Sequence, residues 1–301
     1  MGPNPGQKTV LITGCTPGGI GHALCLEFHK KGLHVIATAR NPAVLAEMAE
    51  MGMSTLQLDV TDAGSIKTCH DEVSKLTGGK LDILVNNAGR THTHPATDLS
   101  ISDVRETFET NVFGVMAMCA AFSDLLISAK GLIINIASLA AITPYVFGSA
   151  YCASKGAVAS YSRTLRLELK PFGVRVMVAM AGTIRSNIAS RTHRTLPPES
   201  IYQRVREVFE RRLTFSQNNA TVDTDKFARK LVAKALAPEW PLLLRSWFGR
   251  PDWFWAGGNA TRVWLATWFG EWILDFALYR MIGMKKLEKV LREEERQKKL
   301  K

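Results

Sequence analysis

The sequence lacks paired cysteine spacing: its five cysteines, at positions 15, 25, 69, 119 and 152, are scattered and odd in number. That argues against a disulfide frame or a zinc module and for reduced thiols in a cytosolic setting. No basic-then-apolar leader follows Met1, and Gly6 stands where a myristoylation signal needs Ser or Thr, so secretion is not expected. The glycosylation sequons at Asn219 and Asn259 are accordingly read as accidental. Internal repeats and low-complexity linkers are missing as well. Tryptophan is absent from the first 239 residues, and all seven fall between Trp240 and Trp272. What is present is a hydrophobic content of 46% with 22% charged residues, enough to bury a proper core. The net charge of +11 suggests an anionic partner, either a phosphorylated ligand, a membrane surface or nucleic acid. Nucleic acid is the weakest of these, since the charge is spread along the chain and no recognition module is present.

Short β-branched runs alternate with helix-period segments. Strands are expected at 9–13, 34–38, 55–58, 83–85, 132–136 and 175–179, and helices at 20–31, 111–126 and 149–170. Apolar strands that do not alternate, separated by helices, predict an α/β doubly wound parallel sheet with helices on both faces. The expected domain is 8–247, after a tail at 1–7 and before a Trp-rich helical extension at 248–301.

The first strand runs into Thr13-Gly14-Cys15-Thr16-Pro17-Gly18-Gly19-Ile20-Gly21 and then a helix. Glycines there let the backbone turn tightly against a pyrophosphate seated over the helix N-terminus. The spacing has one more residue between the first two glycines than the commoner dinucleotide fingerprint. After the second strand there is no acidic residue to hold a ribose hydroxyl; Arg40 stands there and suits a 2′-phosphate. Asp59 could accept from an adenine amine or cap the helix starting near Thr61. Asn86-Asn87-Ala88-Gly89 ends the fourth strand, with paired amides to brace the core and small residues to admit a ribose. His92 and His94 lie two apart with no companion ligands, so they are read as loop or pocket-wall residues and no metal is expected. Asn111 is either a helix-start residue or a functional one. Ser138 closes the fifth strand, where open parallel sheets bind ligands. Tyr151 and Lys155, four apart, share a helix face, so the ammonium is expected to lower the phenol's pKa from its ordinary value of about 10.

In order and separation, these residues resemble the short-chain dehydrogenase/reductases over 8–247. The resemblance implies a Rossmann-type fold and hydride transfer between NADP(H) and a substrate carbonyl carbon. It makes Tyr151 the acid, Ser138 the holder of the carbonyl oxygen, Lys155 the tuner of Tyr151 and ligand of the nicotinamide ribose, and Asn111 the anchor of a water serving Lys155. Cofactor contacts are implied for Thr13, Gly14, Thr16, Gly18, Gly19, Ile20 and Gly21, for Arg40, Asp59 and Val60, and for Asn87, Ala88 and Gly89. Tyr151, Lys155, Gly182, Ile184 and Ser186 complete that set. One departure is Ala181 before Gly182, where the family usually has proline; its loss is expected to loosen the base of the substrate lid.

Several runs, among them Gly79-Lys80-Leu81-Asp82 and Leu196-Pro197-Pro198-Glu199, are similar to the fungal NADPH-dependent 1-acyldihydroxyacetone-phosphate reductases. That likeness implies a lipophilic keto-phosphate substrate met on the endoplasmic reticulum or lipid droplets. Fungal secondary-metabolite ketoreductases and hydroxysteroid enzymes share the frame, and a non-catalytic dinucleotide-binding regulator is the alternative outside enzymes. Arg90, Arg185, Arg191, His193 and Arg194 are candidates for holding a substrate phosphate. In the tail, the apolar run 263–279, read as one helix, would reach about 26 Å at ~1.5 Å per residue, short of a hydrocarbon core of ~30 Å. Glu271 and Asp275 would also lie mid-span. Residues 245–301 carry twelve Lys/Arg against seven Asp/Glu. Peripheral attachment to anionic lipid is therefore expected, with a cap on the pocket or a dimer contact as the alternatives.

Overall fold

Strand-forming residues without alternation need cover on both faces, and the sheet supplies it. The computed structural model describes residues 2–186, 194–218, 222–241, 244 and 248–300. Its main sheet contains β1 (Thr9–Ile12), β2 (His34–Ala39), β3 (Ser54–Gln57), β4 (Ile83–Asn86), β5 (Leu132–Ser138), β6 (Arg175–Ala181) and β9 (Trp253–Ala256). They are all parallel, in the order β3-β2-β1-β4-β5-β6-β9. A two-rung ladder, β7 (Ile184–Arg185) with β8 (Val222–Asp223), stands apart. The strand order reverses between β1 and β4, so a crevice opens at their carboxyl ends, where doubly wound sheets take ligands.

One face is covered by α1 (Ile20–Lys30) and α9 (Thr224–Ala235), whose Leu24, Phe28, Phe227 and Leu231 meet Val10, Val35 and Val85. The other is covered by α3 (Ala63–Thr77), α5 (Gly114–Ala121) and α7 (Ser149–Leu169), burying Val73, Met118 and Val158 against Leu11, Leu84 and Ile133. Asp62 caps α3, its carboxylate accepting from Ser65 N at 2.6 Å, so capping is not the task of Asp59. Between α4 (Ile101–Phe108) and α5 the chain makes a π turn, Glu109–Phe113. Asn111 therefore lies inside a continuous helical run and does not open it. The remaining helices are α2 (Ala46–Glu50), α6 (Ser123–Ala129) and α8 (Arg206–Asn218), then α10 (Ala260–Ala266), α11 (Glu271–Ile282) and α12 (Met284–Lys299).

The C-terminal region differs from expectation in two ways. First, the sheet runs past residue 247, because Trp253–Ala256 forms its last strand beside β6. Phe254 and Ala256 are buried on one face, while Trp253 and Trp255 pack with Val178, Met180 and Val263 on the other. Second, the apolar run is not one helix. It stops after α10 and resumes at α11 beyond Gly270, whose φ of +103° suits only glycine. Glu271 and Asp275 face a cavity of about 420 Å³ between α11 and α7, lined also by Thr143, Cys152 and Gly156. Among the described residues no single helix is long and apolar enough to cross a membrane.

The lid base is also tighter than expected. Ala181 keeps strand geometry, opposite Ser138 on one side and Ala256 on the other. Gly182 N donates to Ala256 O at 2.8 Å, and a Cβ at Gly182 would lie 2.2 Å from Gly258 O. The bond to β9 is made by Gly182, so the base is held with alanine at position 181. Phe254 anchors this edge, 6% exposed and edge-on to Phe227. Phe254→Ala should cost about 3–5 kcal/mol in urea unfolding; a loss under 1 kcal/mol would show that β9 is dispensable.

Candidate active site

The glycine loop is shaped by what it must avoid. Gly14 and Gly18 have φ of +73° and +75°. A Cβ on Gly14 would sit 2.9 Å from Ala88 Cα, and one on Gly21 would sit 2.5 Å from Asn87 Nδ2. Asn87 Nδ2 donates to Thr13 O and Gly14 O, and Thr13 Oγ1 accepts from Asn87 N and Ala88 N. The loop is thereby pinned to the end of β4 at the switch point. Gly19 caps α1 with no side-chain bond, and no acidic residue sits in the first turn. Open backbone donors at a helix N-terminus fit a pyrophosphate. Arg40 is exposed beyond β2, and no carboxylate pairs with it among the described residues, so its cation is available to a 2′-phosphate. Asp59 Oδ1 accepts from Thr61 N and Oγ1, which fixes the carboxylate beside Val60. Gly182 and Ile184 flank the clamp described above, and Ser186 follows β7. These residues fit a dinucleotide phosphorylated on its adenosine ribose.

Ser138, Tyr151 and Lys155 meet at the carboxyl end of β5. The Ser138 hydroxyl accepts from Ala140 N at 3.1 Å and lies near enough to Tyr151 to pull the phenol's pKa down, and Lys155 Nζ lies 5.9 Å from the phenol ring centre. Lys155 is buried and donates to Ile136 O at 2.8 Å. Asn111, wholly buried, accepts from Arg90 N and donates to Arg90 O and to Ser154 Oγ at 3.0 Å. Ser154 Oγ in turn donates to Tyr151 O at 2.8 Å. Asn111 thus acts on the catalytic helix through Ser154, a residue missed from the sequence although it stands three after Tyr151. Gly89 is bracketed by this group, since a Cβ there would be 3.2 Å from Asn111 Oδ1 and 3.8 Å from Lys155 Nζ. Below, Asn86 Nδ2 donates to Asn135 Oδ1 and Asn135 Nδ2 to Ser162 Oγ, which ties β4, β5 and α7 together.

The expected lowering of the phenol's pKa does not occur. Burial pushes Tyr151 up to about 12, with the Ser138 hydroxyl pulling the other way. Burial also pulls Lys155 down to about 8. Burial thus disfavours the charged form of both groups, the phenolate of Tyr151 and the ammonium of Lys155. Near neutrality the pair is a neutral phenol beside an ammonium.

Three of the four arginines expected to hold a phosphate, Arg90, Arg185 and Arg194, are already engaged. Asp103 takes Arg90 Nη2 at 2.8 Å and both terminal nitrogens of Arg194, and Arg90 also pairs with Glu106. These cations, Arg194 above all, hold the Asp103 carboxyl down at about 2. His92 Nε2 is 2.9 Å from Asp103 Oδ2 but off the line a hydrogen bond needs. His92 and His94 are both kept neutral mainly by burial. Arg185 pairs with Asp223 across β7 and β8. Arg191 and His193 lie outside the described residues. Among the described residues no group of His, Cys, Asp or Glu could hold a metal ion.

The profile of the family described as short chain dehydrogenase matches residues 8–196. This chain belongs to the short-chain dehydrogenases. The dehydrogenase is 45% identical over 207 residues to an NADPH-dependent 1-acyldihydroxyacetone phosphate reductase of Schizosaccharomyces pombe, a match covering 67% of this chain and 70% of that one. It is 37% identical over 283 residues to the short-chain dehydrogenase srdE of Neurospora crassa, covering 93% and 94%. A short-chain dehydrogenase structure from Streptomyces avermitilis superposes with a TM-score of 0.75 at 25% identity, over 96% of this chain and 99% of that one. Serine dehydrogenase complexed with NADP+ does so with a TM-score of 0.64 at 27% identity, over 76% and 90%.

A bound dinucleotide would supply the hydride. In the roles the family resemblance implies, Ser138 Oγ would orient the carbonyl oxygen and the neutral Tyr151 hydroxyl would give that oxygen its proton. The Lys155 ammonium would then steady the momentary phenolate. Since Lys155 titrates near 8, kcat/KM for reduction should be flat below that pH and fall as the ammonium is lost above it. Tyr151→Phe should abolish turnover while NADPH fluorescence still reports binding. A profile level to pH 10 would remove Lys155 from this role.

Proposed function

We propose that this enzyme reduces a ketone on a lipophilic, acylated substrate with NADPH, and that 1-acyldihydroxyacetone phosphate is that ketone. The observation that carries the reaction type is the grouping of Ser138, Tyr151 and Lys155 at the carboxyl end of β5, with Lys155 Nζ 5.9 Å from the Tyr151 ring centre. The substrate reading is supported by the 45% identity to the fission-yeast reductase. A second reading is ketone reduction in fungal secondary metabolism, favoured by relatives such as srdE that match over 93% of the chain. NADPH oxidation followed with acyl keto-phosphates, polyketide ketones and steroids in parallel separates the two. No loss of NADPH with the keto-phosphate would overturn the first.

Peripheral membrane attachment belongs to the same proposal. The break between α10 and α11 projects Trp268, Phe269, Trp272 and Phe276, from 73% to 56% exposed. Large aromatics so presented favour the headgroup zone, and the basic excess of the tail complements anionic lipid. Lipid droplets or the cytoplasmic face of the endoplasmic reticulum are the surfaces where an acylated ketone would be met. Changing these four residues to serine should abolish flotation with phosphatidylserine vesicles. Unchanged flotation would reject the patch as the anchor.

Cofactor preference follows from Arg40. Arg40→Asp should raise KM for NADPH at least about tenfold and improve use of NADH. An unaltered ratio of kcat/KM for the two would clear Arg40.

A further inference from the structure

Among the described residues, Arg90, Arg185 and Arg194 are neutralised by carboxylates, whereas Arg212 on α8 is not. Arg212 is 3% exposed, and its Nε and Nη1 are sealed from solvent with no hydrogen-bond partner. No carboxylate pairs with it among the described residues; its neighbours are the rings of Tyr145, 3.2 Å from Cζ to ring centre, and Phe215, at 5.2 Å. Burial alone pulls the guanidinium down to about 9. Stacking on aromatic faces offsets only part of the cost of drying a guanidinium. A buried cation with unused donors is therefore a receptor waiting for an anion.

Its position says which anion. The Tyr145 ring stands 6.1 Å, centre to centre, from that of Tyr151, so the guanidinium is one ring away from the catalytic phenol. Tyr145 can lie there because Gly148 has no side chain; a Cβ would be 1.9 Å from the ring. Phe147, between them, is held at a φ of +63° by burial and by the hydrogen bond from His94 N to its carbonyl, so the loop is fixed. Val208 and Phe209 of α8, the helix that carries Arg212, pack on Phe147.

We propose that Arg212 binds an oxyanion, a phosphate monoester or a carboxylate, carried on the substrate near its ketone. This rests on the reductase reading above and makes Arg212 the residue that selects charged over neutral ketones. Its planar fork would take two oxygens of the anion, satisfying the Nε and a terminal nitrogen together.

The test uses the full chain loaded with NADP+, with octyl phosphate, octanoate and octanol as probes in calorimetry. Wild type should bind one of the two oxyanions at least about tenfold more tightly than octanol. Arg212→Met, checked by its Tm, should bind that oxyanion and octanol alike. Arg212→Lys, a point charge without the fork, should keep only part of the preference and serves if the methionine variant fails to fold. Absence of any oxyanion preference in wild type, or its survival in folded Arg212→Met, would overturn the proposal. Turnover of 1-acyldihydroxyacetone phosphate against its dephosphorylated form separates this from the substrate reading. If wild type reduces neither but binds octyl phosphate or octanoate through Arg212, the named substrate fails and the oxyanion site stands.

Discussion

A single ammonium kept out of water sets the terms for the rest of the molecule. Lys155 lies under the sheet's carboxyl edge with one hydrogen bond, to the Ile136 carbonyl. Desolvating such a charge costs several kcal/mol, so its surroundings must be rigid enough to hold the compensating dipole in place. The buried amides provide that rigidity. Asn135 joins Asn86 to Ser162 across two strands and the catalytic helix, and Asn111 reaches the same helix through Ser154. Burial also determines the protonation pattern, a phenol that retains its proton beside an amine that gives one up easily. The chemistry is therefore a property of packing as much as of the side chains themselves.

Electrostatics on the lid side follow a different logic. A chain with a net charge of +11 brings several arginines to one end of the sheet. Asp103 gathers Arg90 and Arg194 there, with His92 alongside. The result is a neutralised wall, in which an isolated cation on an aromatic face stands out. Mutual pairing, more than the number of basic residues, decides which cation faces substrate.

Much of this was legible in the sequence, for identifiable reasons. The six strands of the dinucleotide-binding core came within one or two residues because apolar runs covered on both faces leave no ambiguity of side. The glycine loop, Asn87, Ser138, Tyr151 and Lys155 were readable because local geometry fixes their spacing. The strand Trp253–Ala256 was missed because two of its four residues are tryptophans, which were read as interfacial anchors. Its alternating burial is the mark of a strand at a sheet edge. Gly270 already announced the break that divides the apolar run, and Gly283 the end of α11 beyond it. Arg212 shares a helix stripe with Val205, Val208 and Phe209, a spacing that places it inward. The upward shift of Tyr151 had no sequence signal, since it depends on how deeply the phenol is buried in the folded chain.

The contact of Gly182 with Gly257 and Gly258 has a mechanical consequence. Two backbones touching without side chains between them transmit displacement directly, so the turn after β6 and the turn after β9 move as one piece. The floor of the site is therefore braced across β5, β6 and β9 at the level where Ser138 stands.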